Sequence, residues 1–240
     1  MAVVLGVLFT AADRLAVNFA ESEAADRIRS SQGLPSAPEV SIKGFPFLTQ
    51  VMDKRLDDVD ISLTGITARA GGRTVAVTEV KAGLDDVRIG AGYSSAVAAR
   101  AEGSAHISYE DLSKSAPRGA SIVWAGAERS AKNQVKLVGP LVEVLKGAGI
   151  EVPGPAAALI GDREVTAYST VELSGGGTVR MKADALPELP VPGLDEQLRR
   201  VVDYDLKIEG MPSGIALDRL ETTKDGLRIT GTGKDVVLAG

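Results

Sequence analysis

Residues 59–89 read VDISLTGITARAGGRTVAVTEVKAGLDDVRI, and apolar side chains recur in them at every second position. Val59, Ile61 and Leu63 alternate with Asp60, Ser62 and Thr64. That period puts one set of side chains on one face of a strand and the polar set on the other. Val75 and Val77 begin a second run. Its phase shifts at Val80, Ala82 and Leu84, then shifts back at Val87 and Ile89. A one-residue slip turns the other face inward, so the breaks predict bulges or bends in long strands.

The same grammar continues downstream. Val165, Ala167, Val171 and Leu173 form a run that Val179, Met181 and Ala183 answer across Gly175, Gly176 and Gly177, which predicts a hairpin. Asp225 and Gly226 precede the alternating Leu227 and Ile229, a second hairpin signal. Val236 and Leu238 close the chain. Upstream the period changes. From Asp13 to Ser31, Leu15 and Phe19 lie four apart, as do Ala24 and Ile28, and no Gly or Pro interrupts before Gly33. This predicts a helix ended by Gly33 and Pro35. If the apolar stretch before it is also helical, one rod runs from Ala2 to about Ser30. Shorter helices are expected at 47–54 after Pro46, at 109–115, and around Leu194, Leu198, Val201 and Val202. Residues 187–192 (PELPVP) hold three of the 11 prolines and read as an extended linker.

Long antiparallel strands with a few helices make an α+β fold. Clean alternation implies a sheet with one wet and one dry face. The dry face needs a cover, and the short helices offer little of it. A large, curved, incompletely covered sheet is one way to build a lipid groove. The segments 40–51 (VSIKGFPFLTQV) and 206–217 (LKIEGMPSGIAL) also share a strand, Gly, apolar residue, Pro order.

Composition narrows the function. The chain has 240 residues, 44% hydrophobic and 25% charged, but only 4% aromatic, so the core rests on Val, Leu, Ile and Ala. Its net charge is −5, which offers no footprint for nucleic acid, and no run of Lys or Arg marks a polybasic membrane site. Any lipid must therefore be held by apolar contact. There is no Cys, which excludes disulfides, thiol nucleophiles and Cys zinc sites, and any metal site would be all-oxygen. No cofactor is expected.

Residues 1–12 stand apart from the rest. Ala2–Ala12 (AVVLGVLFTAA) carries no charge but is shorter than the roughly 20 residues a helix needs to cross a bilayer. It reads either as the end of a signal anchor or membrane-proximal segment that begins upstream, or as a buried core segment. The change at Asp13 and Arg14 resembles a membrane exit. Residues 13–240 then form one domain.

Most polar motifs have simple readings. His106 is the only His and lacks a G-x-S-x-G partner motif, so an ordinary surface or packed role outweighs a catalytic one. Asp57, Asp58 and Asp60, and Asp85 with Asp86, read as a solvated face, since neighbours on a strand point apart. Residues 231–234 (GTGK) lack the spacing of a phosphate loop. The stretch Lys43–Leu48 (KGFPFL) is the most unusual, with two of the four Phe residues around a Gly and a Pro. One reading is a strand-to-helix corner whose aromatics plug the core. The other sets Phe45, Phe47, Leu48 and Val51 at one end of an apolar cavity. Trp124 suits either role.

Residues 42–50 (IKGFPFLTQ) resemble the hallmark of the LmeA-like phospholipid-binding proteins of actinobacterial cell envelopes. Ala12–Ala16, Gly210–Ile215, Asp225–Leu227 and Gly231–Gly233 are similar to further parts of that family's pattern. The likeness runs from about Ala11 to Leu238. It implies an exported, membrane-associated, non-enzymatic protein at the extracytoplasmic face. Such a protein binds phospholipid acyl chains and supports lipid or glycolipid homeostasis. It also implies a fold like the tubular lipid-binding (TULIP) modules, a long helix cradled by a strongly curved antiparallel sheet. In that frame Leu15 and Phe19 on the helix, with Phe45, Phe47, Leu48, Val51 and Trp124, are the candidate lipid contacts. No catalytic residue or metal ligand is implied.

Overall fold

The computed structural model describes residues 2–70, 73–91, 95–186, 196, 199, 203–209 and 211–239. The chain opens with a 31-residue helix, α1 (Ala2–Gln32), so the apolar segment and the predicted helix are one rod. Gly33, at φ +62, ends it. Next come β1 (Glu39–Lys43), the short α2 (Phe47–Met52), and three long strands: β2 (Arg55–Ala70), β3 (Arg73–Ile89) and β4 (Ala96–Ser108). After α3 (Tyr109–Ser115), a second group follows with β5 (Ser121–Trp124), α4 (Ala127–Ser130), β6 (Gln134–Pro140), α5 (Leu141–Gly147), α6 (Gly154–Ile160), β7 (Glu164–Ser174), β8 (Thr178–Ala185) and β9 (Tyr204–Lys207). β10 (Ile215–Thr222) and β11 (Gly226–Ala239) return to the first group.

The strands form two antiparallel sheets, ordered β1-β2-β3-β4-β11-β10 and β5-β6-β7-β8-β9. Both predicted hairpins are present, at Gly175–Gly177 between β7 and β8 and at Asp225–Gly226 between β10 and β11. The helix at 109–115 is found, and the one at 47–54 ends at Met52. The 187–192 linker and most of the helix expected around Leu194 lie outside the described residues, although Glu196 and Arg199 are helical.

The phase breaks in β3 have a structural cause. Leu56 and Val59 are three residues apart on β2, yet both are buried in one cluster, as are Leu84 with Val87 and Ala98 with Ala101. Residues at that spacing on a flat strand would face opposite sides. Register aligns the pairs, with Leu56 against Val87, Val59 against Leu84, and Val87 against Ala98. Asp86 between them takes φ +53. All three strands thus coil at one level, which gives the six-stranded sheet its strong curvature.

Near this crease the sheet is covered by α1 and α2, through Val17, Ala25 and Phe47. Toward the other end its cover is the second sheet, where Leu220, Leu227 and Ile229 meet Ile122, Val135 and Val171. The second sheet buries a further cluster with α5 and α6, including Val144, Leu145 and Ile160. Sequence reading expected the helix to be the principal cover of one dry face. The dry area is too large for one helix, and the part away from α1 is closed sheet against sheet.

The KGFPFL stretch is the joint between α1 and the sheet. Gly44 takes φ +93, and a Cβ there would sit 2.6 Å from Gln50 Nε2. The Phe45–Pro46 bond is cis. Buried Gln50 ties the corner together, donating to Lys43 O (3.2 Å) and accepting from Asp57 N (2.9 Å). Asp13 of α1 is fully buried and accepts from Leu48 N at 2.9 Å. Glu21, two turns on, accepts from Ile42 N at 2.7 Å.

Candidate functional site

Between the two sheets lies a cavity of about 210 Å³. Ile66, Val77 and Ile107 wall it from the six-stranded sheet, and Val171 and Met181 from the other. Ser115, at the end of α3, is the only polar side chain among its described lining residues. The cavity exists because both sheets present alternating apolar residues there while their packing leaves a gap between them. Its volume falls below the roughly 300–1,000 Å³ of drug-sized ligand sites and above the about 150 Å³ that accepts benzene. It suits a stretch of one hydrocarbon chain.

Polar ties hold the sheets at the cavity's flanks. Asn133, before β6, donates from Nδ2 to Leu220 O (3.0 Å) and accepts at Oδ1 from Thr222 N (3.2 Å). On α3, the Ser113 hydroxyl donates to Tyr109 O (2.7 Å) and accepts from Ile122 N (2.8 Å). α3 itself is capped by Ser108, whose hydroxyl accepts from Asp111 N (3.1 Å). Thr78 donates to Asp111 Oδ2 (2.6 Å) and Lys114 to Oδ1 (2.8 Å). Those donors, Lys114 first, hold the Asp111 carboxyl below its ordinary value against the opposing effect of burial. One main-chain bond also bridges the sheets, from Glu209 N to Arg69 O at 3.0 Å, while Ile208 N extends the β8–β9 pairing to Gly177 O at 3.0 Å. Ile208 also lines the cavity.

The seven residues proposed from sequence sit elsewhere. Phe47 is buried in the cluster between α1 and the sheet, with Leu48 and Val51 partly buried against it. Leu15, Phe19, Phe45 and Trp124 are exposed. None of the seven lines the inter-sheet cavity. The structure therefore brings Phe47, Leu48 and Val51 together and leaves the rest apart from them. Of the cavity wall, Val75, Val77, Val80, Val171, Val179, Met181, Leu227 and Ile229 were legible as strand residues without being assigned a site. The usable signal was an excess of alternating strands over helix able to cover them.

The polar motifs resolve into surface chemistry. Lys43 pairs with Asp58 (3.3 Å) and Asp60 (2.5 Å), Arg55 with Asp86 (2.7 Å), and Arg100 with Asp85 (3.2 Å). Asp58 and Asp60 converge on the Lys43 ammonium that neutralises them, and among the described residues no group of three could hold a metal. His106 lies in β4 between Glu79 on β3 and Arg228 on β11, and its buried Nδ1 has no hydrogen-bond partner among the described residues. A larger hollow, about 800 Å³, opens on the six-stranded sheet where Asp60, Glu79, Lys81, Glu102 and Asp218 project. Its charged wall suits water rather than an apolar ligand, whereas the smaller cavity is lined almost wholly by apolar side chains.

By length and composition α1 could cross a membrane, and little of its apolar stretch is buried. Val3–Phe9 are exposed, so this segment is no core element. No curated protein and no solved structure matches the chain. The family model for LmeA-like phospholipid-binding proteins matches residues 11–232, nearly the whole chain. A long helix on a curved antiparallel sheet, an apolar cavity and this match together place the chain in the LmeA-like phospholipid-binding family.

Proposed function

We propose that the chain is a non-enzymatic phospholipid carrier or sensor of the cell envelope, and that an acyl chain occupies the cavity between the two sheets. Residues 13–240 act as one module. The apolar start of α1 holds it at the extracytoplasmic face of the membrane, where it supports lipid or glycolipid homeostasis. The observation that carries this reading is a cavity walled almost wholly by aliphatic side chains in a chain of a phospholipid-binding family. Each methylene buried there contributes roughly 0.8 kcal/mol, so part of one chain gives useful affinity without any basic patch. The headgroup would remain outside, in water.

The test is direct. Purified protein is extracted with organic solvent and the extract analysed by mass spectrometry, with a parallel liposome-binding assay. Co-purifying phospholipid in wild type, and its loss when the cavity is filled by Ala105→Phe, support the reading. An extract without lipid, together with no transfer from liposomes, counts decisively against it.

A further inference from the structure

We infer that the base of the module is a bilayer-seating surface, in which Phe45 and Met52, flanked by Arg14 and Lys54, enter the membrane interface around α1. The inference rests on the membrane-anchored reading above and adds a second, independent contact.

The surface is built at one end of the six-stranded sheet. Phe45 and Met52 are 59% and 82% exposed, large values for apolar side chains in ordered corners. Neither is left loose. Arg14 donates to Gly44 O (3.3 Å), and its guanidinium lies 5.4 Å from the Phe45 ring centre. The Phe9 ring meets the Phe45 ring edge-on at 6.4 Å. Asp13 holds the first turn of α2 through Leu48 N, which fixes the helix bearing Met52 against the same rod. Lys54 follows at the end of that turn, at φ +53, and no ion pair engages it among the described residues.

Chemistry selects the occupant. Phe45 is pinned to Phe9, inside the uncharged segment Ala2–Ala12. At 1.5 Å per residue, Phe9 lies only about 4–5 Å before Ala12 along the rod. The headgroup zone is roughly 5–8 Å deep on each side of a bilayer, so Phe45 falls at its inner edge if Ala2–Ala12 is immersed. An aromatic ring under a guanidinium, beside a flexible Met and a Lys, matches an interface that is apolar below and anionic above. Leu15, on the same rod and 71% exposed, falls in that zone too. Phe19 lies about 15 Å beyond Phe9 and so stands clear of it. A second protein would not need its contacts gathered at the depth where the apolar segment emerges. This seating also sets the cavity away from the membrane. β2 runs from Leu56 at the seated end to Ile66 at the cavity, roughly 30 Å at strand rise.

The absence of Cys makes the test clean. Single-cysteine variants Leu8→Cys, Phe45→Cys, Met52→Cys and Leu159→Cys of the full chain are labelled with an environment-sensitive fluorophore. They are reconstituted into phosphatidylcholine vesicles containing phosphatidylglycerol. Leu159 is 66% exposed on α6 and reports a water-facing site. We expect the labels at 45 and 52 to shift to the blue and to be quenched by shallow, headgroup-proximal quenchers. The label at 8 should be quenched by deep ones and that at 159 by neither. Labels at 45 and 52 that behave like 159 while 8 is quenched overturn the seating surface and leave the anchor standing. A water-exposed label at 8 overturns both.

Discussion

The carboxylate of Asp13 accepts a hydrogen bond from Leu48 N at 2.9 Å, across 35 positions of sequence. It serves as the cap that α2 lacks, since Pro46 at the N-cap position supplies no side-chain bond. One buried acid thus joins the long helix, the GFPF corner and the sheet behind it.

Asp13 should make stability depend on acid. Burial alone would raise its pKa, but the Leu48 amide, Arg14 and the Phe47 amide together bring it below the ordinary value. A carboxyl whose folded pKa is depressed stabilises the fold above its unfolded value and loses that contribution as pH falls through the folded one. Asp13→Asn should therefore lower the thermal midpoint at neutral pH and flatten its fall in the acid range. Thermal unfolding followed by circular dichroism from neutral to strongly acid pH measures both. Parallel curves for wild type and variant would remove Asp13 from the account.

Filling and emptying the cavity should act in opposite senses. Ala105 and Ile229 both line it. Ala105→Phe places a ring in available space, so its cost should stay at or below the about 1–3 kcal/mol of overpacking a tight core, while bound lipid disappears. Ile229→Ala should cost about 2–5 kcal/mol without lipid, and less with lipid present. Urea unfolding with and without added phospholipid, alongside lipid recovery, tests the pair.

Asn133 is the side chain that rivets the sheets. It sits at φ +53, which Asn tolerates, and bonds both Leu220 and Thr222. Asn133→Ala leaves a part-buried carbonyl and amide without that partner, at a cost of about 1–3 kcal/mol. Denaturant unfolding should show the loss, and Asn133→Asp should recover only the bond to Thr222 N.

Gly44→Ala should be disproportionately harmful for a surface residue. The φ of +93 disfavours any side chain, and the new Cβ would push Gln50 Nε2 from a contact of 2.6 Å. A loss of about 1–2 kcal/mol is expected from the backbone alone. Gly33→Ala, where no atom lies within 4 Å of the Cβ, isolates the conformational part. Equal losses in both would show that the contact with Gln50 contributes nothing.

Local pattern determined much of this molecule. The two-residue period of Val59–Leu63 and Val165–Leu173, the glycines at 175–177 and the Asp225–Gly226 turn specify strands and hairpins through neighbours alone. The phase break before Val87 even marked where the sheet coils, because a strand that keeps its buried side through a twist must skip a residue. The uninterrupted run to Gly33 specified the rod. Tertiary structure decided what faces what. Alternation shows that a strand has a dry side, but not whether a helix or another sheet will cover it. The inter-sheet cavity consequently arose from Ile66, Ile107 and Met181, far apart in sequence, and the conspicuous aromatics do not line it. Phe45 and Phe47 stand two apart, yet a positive φ at Gly44 and the turn into α2 send one outward and bury the other. That division is set by how the corner closes on Asp13, a contact no local pattern encodes.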